Sequence, residues 1–288
     1  MPNCVSKTAA KAALITLVAL ASATTATATD TTVTATGEGI SWYGYRSNST
    51  VSFSYDTETG TTSITNLDAN SYIWGYLPST TVLDVGDSIT FSATVTFASV
   101  TSSGVFYFGL YNCGENTQPE ESSTSYSSII EATYDMTGIF AGTKSETTTV
   151  YYRYEGKAPT ISDDGTSSGG AGFMTTNQGS AYITSATLGS ALSAPEAGTE
   201  YDFCLTIVRT ETGLTISLGT DETVSFDVSS DEEISYNVIA FKSPGSGITL
   251  TNLSVVYTAA VPEPSAVGLF AGIAAIAFAA TRRRRSRR

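Results

Sequence analysis

Histidine is absent from this chain. Its absence excludes every site that needs an imidazole, from a Ser-His-Asp or Cys-His constellation to a histidine-containing zinc centre. Cysteine is scarce as well, with three in 288 residues. Cys4 lies in the leading segment, which leaves Cys113 and Cys204, too few for a zinc site. The pair suits one disulfide in an exported protein, or equally two small buried hydrophobes, because both stand in strand-like surroundings. A bridge requires Cα atoms within about 7 Å. Glycine-rich phosphate loops are missing, and so is the D-x-[DN]-x-[DN]-G calcium spacing. Asp163 and Asp164, in the loop Ser162–Gly170, are the remaining weak option for Ca2+, with plain solvation the simpler reading. No other cofactor is expected.

Basic residues are scarce outside the two ends. Of the fourteen Lys and Arg, eight are Lys7, Lys11, Arg282, Arg283, Arg284, Arg285, Arg287 and Arg288. Residues 29–260 keep six against 26 of the 27 acids, a net charge near −20. A polyanion of this kind repels nucleic acid and anionic lipid. Nucleic acid is therefore not an expected partner.

Both ends read as addresses. Lys7 and Lys11 precede an apolar run, Ala12–Ala21, and small residues follow at A-x-A spacing in Ala21-Ser22-Ala23 and Ala26-Thr27-Ala28. That is the layout of a secretory signal peptide over residues 1–28, handled by the Sec translocon and cut by signal peptidase after Ala23 or Ala28. Ten apolar residues are too few to span a bilayer. At the other end, Val261-Pro262-Glu263-Pro264 leads into an uncharged apolar run, Ser265–Ala280, and then an arginine cluster. The prolines hold an extended segment ahead of a helix. A helix over about 265–281 just reaches the lower limit for spanning, near 17 residues, and terminal arginines snorkel to the headgroups. The arginines would stay cytoplasmic, with the rest of the protein across the membrane.

This tail, residues 259–288, resembles the PEP-CTERM sorting signal of Gram-negative bacteria. Pro262, Glu263 and Pro264 match its motif residue by residue, and the helix and arginine cluster follow in order. The resemblance implies recognition by exosortase, a membrane-embedded cysteine protease or transpeptidase. It implies an inner-membrane intermediate with the passenger in the periplasm, then delivery to the cell surface or the extracellular matrix. A simple C-terminal membrane anchor is the alternative. An address says nothing of the passenger's activity.

The passenger, residues 29–258, has the period of strands. Ile89, Phe91, Ala93, Val95 and Phe97 alternate with Ser88, Thr90, Ser92, Thr94 and Thr96. One apolar and one polar face describe an antiparallel sheet wet on one side. Residues 147–154, 201–208, 214–218, 223–228, 234–241 and 248–257 read similarly, rich in strand-forming Thr, Val, Ile, Tyr and Phe. Two Thr-Glu-Thr-Gly turns end on Gly60 and Gly213, where a hairpin favours positive φ. About a dozen short strands predict an all-β, two-sheet antiparallel sandwich of jelly-roll type. Leu83-Asp84-Val85-Gly86-Asp87-Ser88-Ile89, the hairpin within Tyr201–Ser217 and the closing strands Ile234–Phe241 and Gly247–Val255 resemble concanavalin A-like and laminin-G-like sandwiches. That resemblance implies a fold often used to bind glycans and sometimes to cleave them. Glycoside hydrolases of that fold carry an E-x-D-x-E or E-x-D-x-x-E strand, and this chain has none. Asp231-Glu232-Glu233 is contiguous, so its side chains alternate faces.

Aromatic residues carry the remaining chemistry. Trp42, Tyr43 and Tyr45 form one cluster and Tyr72, Trp74 and Tyr76 another. Strand period puts Tyr72, Trp74 and Tyr76 on one face. Such a face either stacks sugar rings, with Trp42 as a further contact, or packs as core. The sequence therefore reads as an exported, surface or matrix β-sandwich, non-catalytic and glycan-binding. A polysaccharide hydrolase and a purely structural biofilm component are the alternatives.

Overall fold

A computed structural model describes residues 30–45, 50–69, 71–102, 104–114, 133, 135–143, 147–154, 160–161, 167–168, 174, 183–188, 194–219, 222–229 and 231–260. The signal peptide lies outside the described residues. So do Pro262, Glu263 and Pro264, the expected membrane helix, the arginine cluster, and Asp163 and Asp164. Thr31–Ala259 forms one unit by its contacts.

Among the described residues there are seventeen strands. The first nine are β1 (Asp30–Thr36), β2 (Ser41–Tyr45), β3 (Ser52–Asp56), β4 (Thr61–Thr65), β5 (Tyr72–Leu83), β6 (Ser88–Phe97), β7 (Phe106–Asn112), β8 (Thr137–Thr143) and β9 (Thr148–Arg153). The rest are β10 (Thr160–Ile161), β11 (Ser167–Ser168), β12 (Ile183–Thr187), β13 (Glu200–Arg209), β14 (Gly213–Ser217), β15 (Thr223–Asp227), β16 (Ile234–Lys242) and β17 (Ile248–Ala259). An eight-stranded sheet runs β15-β14-β13-β6-β17-β4-β3, with β1 also on β17. A seven-stranded sheet runs β12-β9-β8-β7-β16-β5-β2, and β10 and β11 form a small ribbon. The two large sheets pack face to face as an antiparallel, jelly-roll-type sandwich.

β6 shows why. Its burial alternates strictly, with Ile89, Phe91, Ala93, Val95 and Phe97 turned inward. From the eight-stranded sheet, Phe91 and Phe203 meet Phe106, Phe108 and Phe241 of the other sheet, with Phe108 and Phe203 ring centroids 4.3 Å apart. Each such side chain contributes about 1.5–3 kcal/mol by leaving water. On the outer face the hydroxyls pair across strands. Thr90 and Thr206 are 3.0 Å apart, Ser92 and Ser254 3.0 Å, and Thr94 donates to Asp202 at 2.6 Å. This sheet is the one the alternating pattern describes.

β7 and β8 escape that pattern. Both are buried on both faces for most of their length, so Phe106–Asn112 and Thr137–Thr143 read as continuous apolar and glycine runs. A period of two carries no signal there. The glycine turns also divide. Gly60 has φ +65°, as a hairpin end favours. Gly213 stands inside β14 at ordinary φ, where a Cβ would overlap the Phe226 carbonyl. The first glycine serves conformation and the second serves close approach.

The disulfide expected as one option between Cys113 and Cys204 is not formed; both thiols are free. Cys204 alternates with core-facing Phe203 and Leu205 and so stands on the hydroxylated outer face of the eight-stranded sheet. Cys113 packs among the aromatics outside the seven-stranded sheet. A whole sandwich separates them.

Candidate functional site on the outer face of the seven-stranded sheet

β5 alternates between two cores. Ile73 and Leu77 point into the inter-sheet core, while Tyr72, Trp74 and Tyr76 point out of the other side of the sheet. There they meet a second apolar layer with Tyr111, Cys113, Met136, Phe140, Met174, Val238 and Ala240. Tyr43, Tyr45, Tyr107 and Tyr151 border it, half-buried.

Strand register arranges this face in rows. The middle row reads Tyr43, Trp74, Ala240, Gly109, Phe140, Tyr151 from β2 through β9. Toward one side lies Tyr76, Val238, Tyr111, Gly138, Arg153. Toward the other, at the end of the sheet where β16 stops, lies Tyr45, Tyr72, Lys242, Tyr107, Gly142, Thr149. Small residues sit beside large rings in each row. A Cβ at Gly142 would overlap the Tyr107 ring, and one at Gly138 would lie 2.9 Å from Tyr111 Cδ1. The glycines let the tyrosines lie down across the neighbouring strand.

The rings form two walls. On β2 and β5, Tyr43 stacks on Trp74 at 6.2 Å and meets Tyr76 edge-on at 5.6 Å. On β7 to β9, Phe140 stacks on Tyr151 at 4.7 Å and on Tyr111 at 6.1 Å, with Tyr107 edge-on to Phe140 at 5.7 Å. Between the walls runs β16 with Val238, Ala240 and Lys242. The middle of this trough is closed. Trp74 is 1% exposed, and Val238 and Ala240 are fully buried with Met136 and Met174 against the layer. The end row stays partly open, since Tyr45, Lys242, Tyr107 and Thr149 are all half-buried.

Electrostatics follow burial. Tyr76 is pushed up to about 12, mainly by desolvation and then by nearby Cys113. Tyr111 is raised well above its ordinary range by complete burial. Tyr45 is raised by burial and by the Asp68 carboxylate. Arg153 is lowered by burial, against the opposing influence of Tyr111 and Asp135. Burial alone lowers Lys242. The Lys242 ammonium lies 5.5 Å from the Tyr72 centroid and 5.6 Å from that of Tyr107.

The structure brings together Tyr72, Trp74 and Tyr76 of the expected glycan contacts and separates Trp42 from them. Trp42 pairs with Gly75 and faces the inter-sheet core, stacked against Phe53 at 6.1 Å and Phe241 at 6.2 Å. Its neighbours in sequence, Tyr43 and Tyr45, take the outer face instead. Tyr107 and Lys242 were not singled out by the sequence. The signal for Lys242 was scarcity: it is one of only six bases in the passenger, and it ends a strand.

The acids lie elsewhere. Glu232 accepts a hydrogen bond from the Tyr152 hydroxyl at 3.3 Å, beside a cavity of about 30 Å³ lined by Asn112, Glu233 and Ser235. Buried Arg209 donates to the Ser229 and Glu232 carbonyls at 2.8 and 3.4 Å. This cluster ties β9 and β13 to the Asp231–Glu233 turn. Among the described residues no group of three or more Cys, Asp or Glu side chains is placed to hold a metal.

No family model and no curated protein matches this chain. Solved structures do resemble it in fold. One is a Bacillus subtilis protein of unknown function with a galectin-like fold, at 9% identity and TM-score 0.45, covering 77% of this chain and 91% of that one. Another is the potassium-bound carbohydrate recognition domain of Emp46p, at 10% and 0.44, covering 77% and 88%. A third is a glycoside hydrolase family 16 endo-glucanase from Bacteroides ovatus, at 11% and 0.41, covering 80% and 94%.

Proposed function

We propose that this chain is a surface-delivered glycan-binding protein, whose saccharide lies on the outer face of the seven-stranded sheet at the open end of its aromatic layer. The observation that carries the reading is the end row, where half-buried Tyr45 and Tyr107 present rings on one partly open strip, with buried Tyr72 between them. Sugar rings stack on such faces through their C–H surfaces while polar neighbours take the hydroxyls. Thr149 in the same row supplies one such hydroxyl. Among the described residues, the opposite face of the sandwich presents mainly short hydroxyls, several of them already paired with one another or with Asp202.

The reading of the ends completes the proposal. The N-terminal signal takes the passenger out through the Sec translocon, and the Pro262-Glu263-Pro264 tail hands it to exosortase for the cell surface or matrix. The support here is the order and spacing of the segments in the sequence.

The test is affinity electrophoresis of the full chain, in nonionic detergent, through gels carrying different polysaccharides. Retardation by at least one polysaccharide is expected, weakened about tenfold in Tyr107→Ala, as for an anchor ring at the centre of a contact. Near-UV circular dichroism establishes that the variant is folded. Unchanged retardation in the folded variant would remove the site from this face. Release of reducing ends from a bound polymer would make the protein a hydrolase rather than a binding module.

A further inference from the structure

Lys242 is the anomaly of the candidate face. It ends β16 in the centre of the open row, between Tyr72 and Tyr107. Its ammonium lies over both rings, and it makes no hydrogen bond or ion pair to any described residue. Two aromatic faces offset part of the cost of desolvating a cation. They leave its three N–H donors without an acceptor among the described residues. Among the described residues no carboxylate contributes to its environment, and burial lowers its proton affinity. That is unusual in a passenger where acids outnumber bases 26 to six. A half-buried cation with two rings beside it and no acid at hand among the described residues is arranged to receive an oxyanion carried on a ring.

We propose that the saccharide is acidic, and that Lys242 receives its carboxylate or sulfate ester while half-buried Tyr107 beside it holds the sugar and buried Tyr72 backs the ammonium. This rests on the glycan-binding reading above and names the ligand class for the same site. The net charge of the passenger opposes an anionic polymer, but that opposition is long-range. At physiological ionic strength charges separated by more than about 8 Å are largely screened. The contact at Lys242 is short, half-buried and much less screened, so it dominates at the site.

The experiment compares four probes against the full chain in the same gels: polygalacturonate for carboxylates, dextran sulfate for sulfate esters, and dextran and laminarin as neutral polymers. The variants are Lys242→Met, which keeps the aliphatic stem between the rings, and Lys242→Arg, which keeps the charge. The arginine-rich tail is common to all three proteins, so differences among them report on position 242 alone.

Wild type is expected to bind one acidic polymer in preference to the neutral ones. Lys242→Met should lose about tenfold or more on that polymer, as for a charged hydrogen bond, and little on neutral ones. Lys242→Arg should retain most of the binding. The two acidic arms separate a carboxylate from a sulfate ligand. Binding to acidic polymers that is unchanged in Lys242→Met would overturn the proposal. Tight binding to neutral polymers alone would overturn it too, yet leave the glycan-binding reading standing. Binding to none of a broad polysaccharide set would remove both.

Discussion

At the scale of single residues, the aromatic face depends on what is missing beside each ring. Tyr107 lies where a Cβ of Gly142 would be, while a Cβ at Gly138 would meet the Leu110 carbonyl and the Tyr111 backbone before the Tyr111 ring. Gly142→Ala should therefore force the Tyr107 ring to move. The cost is expected on the order of 1–3 kcal/mol, typical of overpacking, read as a lower urea midpoint at unchanged slope. An unaltered midpoint would mean that the ring swings aside freely. The two tryptophans make the same point about position. Trp42 and Trp74 stand on neighbouring strands, and one residue of offset in register sends the first into the inter-sheet core and the second to the outer layer.

At the scale of elements, the turn between β5 and β6 is a fastening. Asp87 is 3% exposed. Its Oδ2 accepts from the Asp84 amide at 3.0 Å and from the Tyr257 hydroxyl of β17 at 2.6 Å. Its backbone carbonyl accepts from Arg209 N at 2.9 Å, and Gly86, at φ +95°, donates to the Arg209 carbonyl at 2.8 Å. One short turn thereby joins β6, β13 and β17 at the same end. Asp87→Asn keeps the shape and removes the charge, and should cost about 1.5–3 kcal/mol, the range for hydrogen bonds to a charged group. Tyr257→Phe should cost less, and the two changes should be non-additive in a double-mutant cycle. Additive losses would mean that the 2.6 Å contact contributes nothing of its own.

At the scale of the whole molecule, the sandwich is asymmetric. One sheet turns serine and threonine outward and the other turns out a second apolar layer. That layer and the core beneath bury phenols. Tyr76 is raised to about 12 from the ordinary 10.0. Tyr111, Tyr152 and Tyr236 are raised as well, each chiefly by desolvation. Between the ordinary and the raised values the folded protein holds protons that the unfolded chain releases. Their contribution to stability is intact below about pH 10 and is lost as pH rises through the folded values. Lys242 acts in the opposite sense. Its lowered value means the unfolded chain binds more protons just below the ordinary 10.5, which adds stability as pH rises there. Four phenols outweigh one amine. The protein should therefore unfold cooperatively in alkali, with tyrosinate absorbance appearing together with loss of β circular dichroism. Gradual ionisation of these phenols in a folded protein would contradict their burial.

The amino-acid sequence by itself determined the class of fold and the excluded chemistry. Strand period over Ser88–Phe97, turn residues such as Gly60 and the absence of histidine are local properties, legible without neighbours. It also placed Tyr72, Trp74 and Tyr76 together on one face. It did not determine which face, because Ile73 and Leu77 on the other side are equally apolar, so alternation carries no polarity across β5. Nor did it reveal β7 and β8, whose two-sided burial erases the period, or the setting of Lys242, whose ring partners come from β5 and β7. Those were decided only when the sheets packed. Burial between sheets chose the inner face, and pairing β16 between β5 and β7 put one cation between two tyrosines.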